Sequence, residues 1–461
     1  MRFQLGEGTC CGGVLHAVRS AAAARRLRGA AAGRASLKVE GPLLGLAEAL
    51  GYTGDDPGHW NFSPEWYGTQ GGGWGRDAGL VVFSQDSCCG NGRVTVTAHP
   101  AVGQPSSSSP HRGISAGGDS GSGGNTREEW RVLRFNDVTR QTVMRVTVVA
   151  APGPGSSDKS SSSSGSGSAS TQPQEKQQQF QPTVTAQPDC LVQEYLKTTA
   201  AVVAALLGLQ RLVPASGSGS SSKDSQEGAD GQQRMLRVLC IGVGGGSLPL
   251  FLAHHFPAME VDAVEIDPAV VAAATQAMGL PTDLPNLRLH CADAAAFLRG
   301  RRHGAGSRQG GQQERPFDLV FMDAFDGADD VPAALCTPDF AAELGAALHP
   351  GHGCFLLNLH SLEGLQPVAT FKAALLGGSS HASGSSHGNG GSGSGAGSGS
   401  CFAVAAQRQR NVCVAVVRGL ALPADHAAAR RWLFCEAQRV AEAAGYRFPV
   451  GSRASRQLQM L

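Results

Sequence analysis

The sequence predicts an α/β protein, an open and mostly parallel sheet with helices on both faces, preceded by a small antiparallel β module. Three observations predict this fold. Apolar strand patterns and helical patterns alternate between residues 237 and 444, and a glycine-rich turn joins the first such strand to the first helix. Upstream, between residues 78 and 150, runs of β-branched residues alternate with period two and are separated by turn residues.

Residues 237–268, RVLCIGVGGGSLPLFLAHHFPAMEVDAVEIDP, organise the rest of the chain. An apolar run at 238–241 is typical of a buried parallel strand, and a helical pattern at 248–256 follows the glycines. A second apolar strand at 261–266 carries Glu265, about 20 residues after the glycines. Strand, glycine turn, helix, strand and acid in this order indicate a nucleotide-binding βαβ unit.

The same alternation continues to the end of the chain, which completes the predicted sheet. Upstream of the glycine turn, residues 188–209 predict a helix with Asp189 as its N-cap. Further helices are predicted at 269–278, 294–302, 338–348, 365–376 and 424–444, and further strands at 287–291, 317–322, 353–359, 402–406 and 412–417.

The chain divides by composition into a basic tail at 1–39, a β-rich module at 40–150, a low-complexity linker at 151–187 and the nucleotide-binding domain at 188–461. Within the module, strands are predicted at 80–83, 94–97, 130–135 and 142–149. Ser- and Gly-rich insertions lie at 103–126, 214–233, 301–314 and 377–400. Because such composition cannot bury a core, we expect the insertions and the linker to be disordered.

Charge and apolar content argue against two classes of partner. The chain of 461 residues has 38 basic and 37 acidic residues, so its net charge of +1 does not favour binding to nucleic acid. No apolar run reaches the length of a membrane span. The 12 cysteines are scattered without zinc-ligand spacing or a disulfide framework, which fits a reduced, cytoplasmic environment. Residues 1–39 leave a transit peptide open, although we favour a disordered tail.

Candidate cofactor-binding residues lie at the carboxyl ends of the first predicted strands, where such sheets bind ligands. We expect Gly242, Gly244 and Gly246 to let the backbone approach a nucleotide closely, and Glu265 to accept hydrogen bonds from a ribose diol. Asp267 takes the role of Glu265 if the register of the strand differs by two residues.

Three further acids follow the third and fourth strands of the predicted sheet. Asp293 has two interpretations, an acceptor for an adenine amine or an N-cap of the next helix. Asp323 and Asp326 end the fourth strand, where two carboxylates can orient an amine and accept its proton. The alternative interpretation of both residues is a solvated surface charge, and this alternative is stronger for Asp326 than for Asp323.

Several segments resemble the S-adenosylmethionine-binding core of the spermidine-synthase-like methyltransferases, above all the C-terminal domain of the methyltransferases of eukaryotic elongation factor 1-alpha. They are IGVGGGSLPLF, VEIDP, FDLVFMDAFDG, QEYLKTTAAVVA and the final Met-Leu. The resemblance implies a class I methyltransferase sheet of Rossmann type and methyl transfer to a protein amine, such as the N-terminus or a lysine of a translation elongation factor. It implies that the glycine turn, Glu265 and Asp293 bind S-adenosylmethionine, that Gln193 approaches it, and that Asp323 faces the acceptor.

Two departures from the family's aminopropyltransferases favour methyl transfer. Those enzymes carry an acid inside the glycine turn where this chain has Gly245, and a tyrosine where it has Val192. A polyamine aminopropyltransferase is the first alternative, and a catalytically inactive cofactor-binding scaffold is the second. The sequence leaves the oligomeric state open, a homodimer included.

Overall fold

The computed structural model describes ten stretches of the chain, all of them within one compact unit that spans residues 53–461. The described residues are 79–101, 126–136, 139–150, 182–212, 235–304, 315–326, 330–361, 366–377, 399–407 and 410–461. The predicted tail at 1–39 and most of the linker and insertions lie outside them. No helix in these stretches is long and apolar enough to cross a membrane.

The first sheet has five antiparallel strands in chain order, which confirms the predicted β module. The strands are β1 (Leu80–Asp86), β2 (Arg93–Pro100), β3 (Thr126–Phe135), β4 (Thr139–Val149) and β5 (Thr183–Ala186). Strand β5 was not predicted and lies inside the stretch interpreted as linker. Its four residues are too few for an alternation to stand out from the low-complexity sequence before it.

The second sheet has eight strands in the order β13-β11-β12-β10-β9-β6-β7-β8. Its strands are β6 (Leu236–Ile241), β7 (Met259–Glu265), β8 (Leu287–Cys291), β9 (Leu319–Met322), β10 (Cys354–Leu359), β11 (Gly399–Ala405), β12 (Val412–Arg418) and β13 (Gln459–Met460). Its helices are α1 (Glu194–Leu209), α2 (Ser247–His255), α3 (Pro268–Ala272), α4 (Ala294–Gly304), α5 (Pro338–Ala347), α6 (Gln366–Leu376), α7 (His426–Ala444) and α8 (Gly451–Ser455).

The five strands β6 to β10 are parallel, and β12 runs antiparallel to β10, as predicted for a mostly parallel sheet. The order of strands reverses between β6 and β9, which opens a crevice at their carboxyl ends. Strand β13, only two residues long, pairs with β11 and gave no signal in the sequence. The predicted α/β fold is confirmed.

The two sheets share one apolar core. Val146 of β4 and Val238 of β6 belong to the same cluster of buried side chains, together with most of α1. Helix α1 is buried nearly all round, with 14 of its 16 residues buried, because it is covered by α7 as well as by the sheet. The β module is therefore packed against the second sheet and contributes residues to its crevice.

Helix α1 begins at Glu194, so the predicted start at 188 was wrong. Asp189 lies in a turn before the helix, where its carboxylate forms an ion pair with Arg447 Nη1 at 2.7 Å. Gln193 is the N-cap, and its side chain makes no capping hydrogen bond. An aspartate before an apolar run usually indicates an N-cap. The local sequence could not show that Asp189 pairs instead with Arg447, far along the chain.

Other predicted boundaries differ from the structure by a few residues. The helix predicted at 269–278 is α3 followed by a π turn, Ala273–Ala277, and Gly279, with φ of 74°, follows it. Helix α4 and strand β11 extend by four and by two residues into the insertions predicted at 301–314 and 377–400. The α4 extension includes Arg301 and Arg302, which favour helix, whereas Gly399 and Ser400 take their conformation from the rest of β11.

Candidate functional site

Two adjoining clefts occupy the crevice at the carboxyl ends of the parallel strands. The amide cleft is lined by Gln193, Asn358 and Asn411, among others. The acid cleft is lined by Glu265, Asp293 and Asp326, among others. Both clefts share the residues Gln141, Gly242, Gly244, Asp323 and Phe325.

The glycine turn lies where the two clefts meet. Gly242 has φ of 82°, a left-handed conformation that favours glycine, and a Cβ there would lie 2.3 Å from the carbonyl oxygen of Asp323. Gly242 and Gly244 line both clefts. Gly246 lines neither cleft, because it is the N-cap of α2 and packs against Leu280.

Glu265, the last residue of β7, lies under the glycine turn with 8% of its surface exposed. Its Oε2 accepts a hydrogen bond from the Val243 N–H at 3.0 Å, and its Oε1 accepts from the Asp267 N–H at 3.1 Å. Burial raises the pKa of this carboxyl although these amides stabilise its charged form. Glu265 therefore stabilises the glycine turn through the hydrogen bond from Val243, and it also lines the acid cleft.

Asp267 is fully buried and does not line either cleft. Its Oδ1 accepts from the Ala269 N–H at 2.9 Å, which caps α3, and its Oδ2 accepts from Asn91 Nδ2 at 2.8 Å and from Ser87 Oγ. Strand β7 ends at Glu265, which lines the cleft, whereas Asp267 lies beyond the strand as the N-cap of α3. Asp267 instead fastens the turn between β1 and β2 to the second sheet.

Asp293 and Asp326 both line the acid cleft, and both also have local partners. Asp293 Oδ1 accepts from the Ala296 N–H at 2.7 Å, so the N-cap interpretation and a position in the cleft hold together. Asp326 Oδ1 accepts from the Asp330 N–H at 3.1 Å, which closes its own loop. Asp326 does not line the amide cleft, where Asp323 lies.

Asp323 follows β9 and lines both clefts. Its Oδ1 accepts from Asn358 Nδ2 at 2.7 Å, and its Oδ2 accepts from Tyr195 Oη at 3.1 Å. Asn411 Nδ2 in turn donates to Asn358 Oδ1 at 3.2 Å. Among the described residues that line the amide cleft, Asp323 carries the only carboxylate, and this network fixes its orientation.

Sequence reasoning missed the side chains that hold Asp323. Asn358 ends the fifth parallel strand and Tyr195 begins α1, and both positions were available from the predicted elements. His360, whose ring stacks on Phe325 with centroids 4.3 Å apart, also lines the amide cleft. Asn411 comes from the end of the sheet beyond β10, so no local pattern could have placed it there.

Three buried polar atoms in the amide cleft have no hydrogen-bond partner among the residues that the structure describes. They are Gln141 Nε2, Gln193 Oε1 and Ser247 Oγ. The other amide atom of Gln193, Nε2, donates to the Gln141 carbonyl at 2.9 Å, which fixes the side chain. An unpartnered buried polar group costs about 1–3 kcal/mol, so this end of the cleft suits a ligand that offers both donors and acceptors.

Comparison with known proteins identifies relatives of part of the chain. No family model matches it. A segment of 131 residues is 36% identical to the human eEF1A lysine and N-terminal methyltransferase, and it covers 27% of this chain and 17% of that protein. A segment of 107 residues is 34% identical to the polyamine aminopropyltransferase of Vibrio vulnificus, with 23% of this chain and 32% of that enzyme covered. Part of this chain is homologous to both transferases.

The predicted relationship to the spermidine-synthase-like transferases is therefore confirmed. The matched segments span less than a third of the length of each of these relatives. Among solved structures, human methyltransferase-like protein 13 in complex with SAH is similar at 23% identity and a TM-score of 0.38, over 56% of this chain and 93% of that one.

Proposed function

We propose that the chain is an S-adenosylmethionine-dependent methyltransferase that acts on a protein amine. The acid cleft suits the nucleoside of the cofactor, because Glu265 and Asp293 offer carboxylate acceptors to a ribose diol and an adenine amine. The amide cleft suits the amino-acid end of the cofactor together with the acceptor. The glycine turn, which lines both, lies where the two halves of such a ligand would join.

The observation that carries this proposal is the set of three unpartnered atoms in the amide cleft. Gln141 Nε2 and Ser247 Oγ are donors that suit a carboxylate, and Gln193 Oε1 is an acceptor that suits an ammonium group. An α-amino acid presents both groups on one carbon. The intact cofactor has this pair, whereas the decarboxylated cofactor of aminopropyl transfer has lost the carboxylate.

The surroundings of Gly245 also favour methyl transfer over aminopropyl transfer. A Cβ at this position would lie 2.7 Å from Thr142 Cγ2 and 2.8 Å from Met278 Cε, so an acidic side chain does not fit without movement of its neighbours. The Gly245 N–H also donates to Thr142 Oγ1 at 2.9 Å. The acid that resembling aminopropyltransferases carry in this turn would in addition repel a cofactor carboxylate.

In the proposed reaction the protein aligns a neutral amine rather than activating a poor electrophile. When bound, the cofactor supplies a methyl group already activated by its sulfonium. The amine nitrogen forms a bond to the methyl carbon as the sulfur–methyl bond breaks, and the sulfur keeps the electron pair of that bond. Asp323, held by Tyr195 and Asn358, orients the amine N–H and accepts the proton on its way to solvent.

A protein amine fits the amide cleft better than a diamine does. A polyamine precursor carries two cationic groups, which require two anionic contacts, and Asp323 is the only carboxylate among the described residues that line this cleft. A lysine or an N-terminal amine brings one cationic group. Because the relatives include methyltransferases named for eEF1A, we propose an elongation factor as the first acceptor to test.

The test is calorimetric binding of S-adenosylmethionine and of its decarboxylated form to the full chain. We expect the intact cofactor to bind at least about tenfold more tightly, since a hydrogen bond to a charged group contributes about 1.5–3 kcal/mol. Gln141→Leu, which removes one of the two donors proposed for the carboxylate, should weaken this preference. Gln438→Leu is the matched control, because the Gln438 side chain donates to its helix neighbour Glu442 at 2.7 Å and lines neither cleft.

Preference for the decarboxylated form would overturn the proposal in favour of aminopropyl transfer. If the intact cofactor binds, radiolabelled methyl transfer to purified eEF1A tests the acceptor. Transfer that is lost in Asp323→Asn would support a methyltransferase, and cofactor binding without transfer to any protein of a cell extract would support a scaffold.

A further inference from the structure

The turn between β1 and β2 presents two adjacent cysteines at the edge of the acid cleft. Cys88 and Cys89 are both exposed, and their sulfur atoms lie 3.8 Å apart. Cys89 lines the acid cleft, and its sulfur also contacts the Ile266 carbonyl at 3.5 Å. The mechanism above uses neither thiol.

This turn is coupled to the residues that line the acid cleft. Ser87 Oγ accepts hydrogen bonds from the Cys89 N–H at 3.0 Å and from the Asn91 N–H at 3.2 Å, and it donates to Asp267 Oδ2. The Asp267 N–H donates to Glu265 Oε1 at 3.1 Å. A change in the peptide between the two cysteines therefore reaches Glu265 through three hydrogen bonds, by way of Ser87 and Asp267.

We propose that Cys88 and Cys89 are an oxidisable pair whose reversible disulfide weakens binding in the acid cleft. The identity of the ligand rests on the proposed function, whereas the disulfide does not. The oxidant is a hydroperoxide. The Cys88 thiolate attacks its outer oxygen to give a sulfenic acid and, with hydrogen peroxide, one water. The Cys89 sulfur then displaces the hydroxyl as a second water, so the two thiols lose two electrons and two hydrogens to the peroxide.

The roles of the two thiols follow from their surroundings. Burial raises the pKa of Cys89 to about 11, so this residue stays a thiol at neutral pH and suits the second step better than the first. The product is strained, since neighbouring Cα atoms are about 3.8 Å apart whereas disulfide-bonded Cα atoms are usually about 4.4–6.8 Å apart. Strained disulfides are readily reduced, which makes the change reversible.

Closing the disulfide must disturb the turn. The sulfur atoms have to approach from 3.8 Å to about 2.05 Å, which requires the intervening peptide to rotate. That peptide carries the Cys89 N–H that bonds Ser87 Oγ, so rotation breaks this bond and loosens the attachment of Ser87 to Asp267. The cleft wall formed by Cys89 and Asn91 then loses its fixed position.

A metal ion is the competing interpretation of the same cluster. The two sulfurs and an Asp267 oxygen lie within 4.8 Å of one another. The Asp267 carboxylate, however, already accepts hydrogen bonds from Ser87, Asn91 and Ala269, which leaves about one of its four lone-pair sites for a metal ion. We therefore assign thiol oxidation and leave metal binding as an outcome of the test.

The experiment treats the full chain with hydrogen peroxide, maps disulfides by peptide mass spectrometry and measures S-adenosylmethionine binding by calorimetry before and after. We expect a peptide that carries both cysteines to lose two hydrogens, the dissociation constant to rise at least about tenfold, and dithiothreitol to reverse both changes. Cys88→Ser, which leaves the cleft lining intact, should bind the cofactor normally when reduced and should not respond to peroxide. Cys435→Ser, an exposed cysteine of α7, should respond like the natural chain.

Other outcomes separate the two proposals. Oxidation without a change in binding, or an effect abolished by Cys291→Ser and not by Cys88→Ser, would overturn the inference. Stoichiometric zinc in the purified chain that disappears in Cys88→Ser would replace it with a metal site. If the reduced protein binds no S-adenosylmethionine, the proposed function fails, while the mass measurement still decides whether the disulfide forms.

Discussion

The hydroxyl of Tyr195, from the first turn of α1, donates a hydrogen bond to Asp323 Oδ2 at 3.1 Å across the amide cleft. This bond and the one from Asn358 Nδ2 together involve both oxygens of the carboxylate. The carboxylate is thus oriented before an acceptor binds. Orientation of this kind is what transfer to a neutral amine requires.

We expect Asp323→Asn to lower kcat by about 10²–10⁴-fold, the range typical of a lost acid–base group, with the Kd for S-adenosylmethionine changed little. Tyr195→Phe should lower kcat by about 10- to 150-fold, since a hydrogen bond to a charged group contributes about 1.5–3 kcal/mol. Single-turnover methyl transfer and calorimetry measure the two quantities. A loss confined to cofactor affinity would assign Asp323 to binding alone.

Glu265 should make cofactor binding sensitive to pH. Burial raises its pKa above the ordinary value of 4.5, and binding to a ribose diol requires the carboxylate, so affinity should fall as the pH falls through the raised pKa. The contribution of Glu265 to folding stability depends on pH in the opposite direction. The stability that this group contributes is greatest below pH 4.5 and is lost as pH rises through the folded pKa.

Glu265→Gln should bind S-adenosylmethionine about 10- to 100-fold more weakly and with a flatter pH profile, because it exchanges a charged acceptor for a neutral one. Glu343→Gln, which removes a partner of Arg302 on the surface, is the control. Calorimetry at a series of pH values measures the profile. The same pH profile in the natural chain and in Glu265→Gln would contradict the assignment.

Gly245→Asp should discriminate between the two forms of the cofactor. The new side chain meets Thr142 and Met278, and its charge repels a cofactor carboxylate but not the decarboxylated form. We expect a larger loss of affinity for the intact form, by about tenfold or more. Gly245→Asn has nearly the same size without the charge, so equal losses in the two variants would show that only the steric clash matters.

A buried ion-pair network holds the helix that presents Gln193 and Tyr195. Glu194 accepts from Lys197 Nζ at 3.1 Å and from Arg453 Nη2 at 3.1 Å, and all three side chains are at least nine-tenths buried. Burial and the neighbouring Arg453 lower the pKa of Lys197, although Glu194 opposes this shift. The network fastens the first turn of α1 to α8.

Glu194→Gln should lower the free energy of unfolding by about 3–5 kcal/mol, because it removes the buried anion that Lys197 and Arg453 share. Arg453→Met should cost less, since Lys197 still neutralises Glu194. Urea denaturation followed by circular dichroism measures both. Glu436→Gln, which breaks the partly exposed pair with Arg439, should change stability by at most about 1 kcal/mol, and an effect as large as that of Glu194→Gln would contradict the argument.

The elements with strong periodicity were predictable, and so were the residues at their ends. The glycine turn, Glu265 and Asp323 follow apolar strands long enough to recognise, and the parallel topology brings the ends of such strands together. Elements of two to five residues, such as β5, β13 and α8, were missed because too few residues carry a pattern. The start of α1 was wrong because Asp189 has a distant ion-pair partner.

The amino-acid sequence by itself determined the order of strands and helices, the glycine turn and the acid that lies beneath it. These features depend on contacts within a few residues or on one alternating pattern. Only the tertiary structure decided that Gln141 of the β module lines the amide cleft, that Asn411 supports Asn358, and that Cys89 borders the acid cleft. Such relationships join residues far apart in the chain, and no local physical preference specifies which of them meet when the two sheets pack.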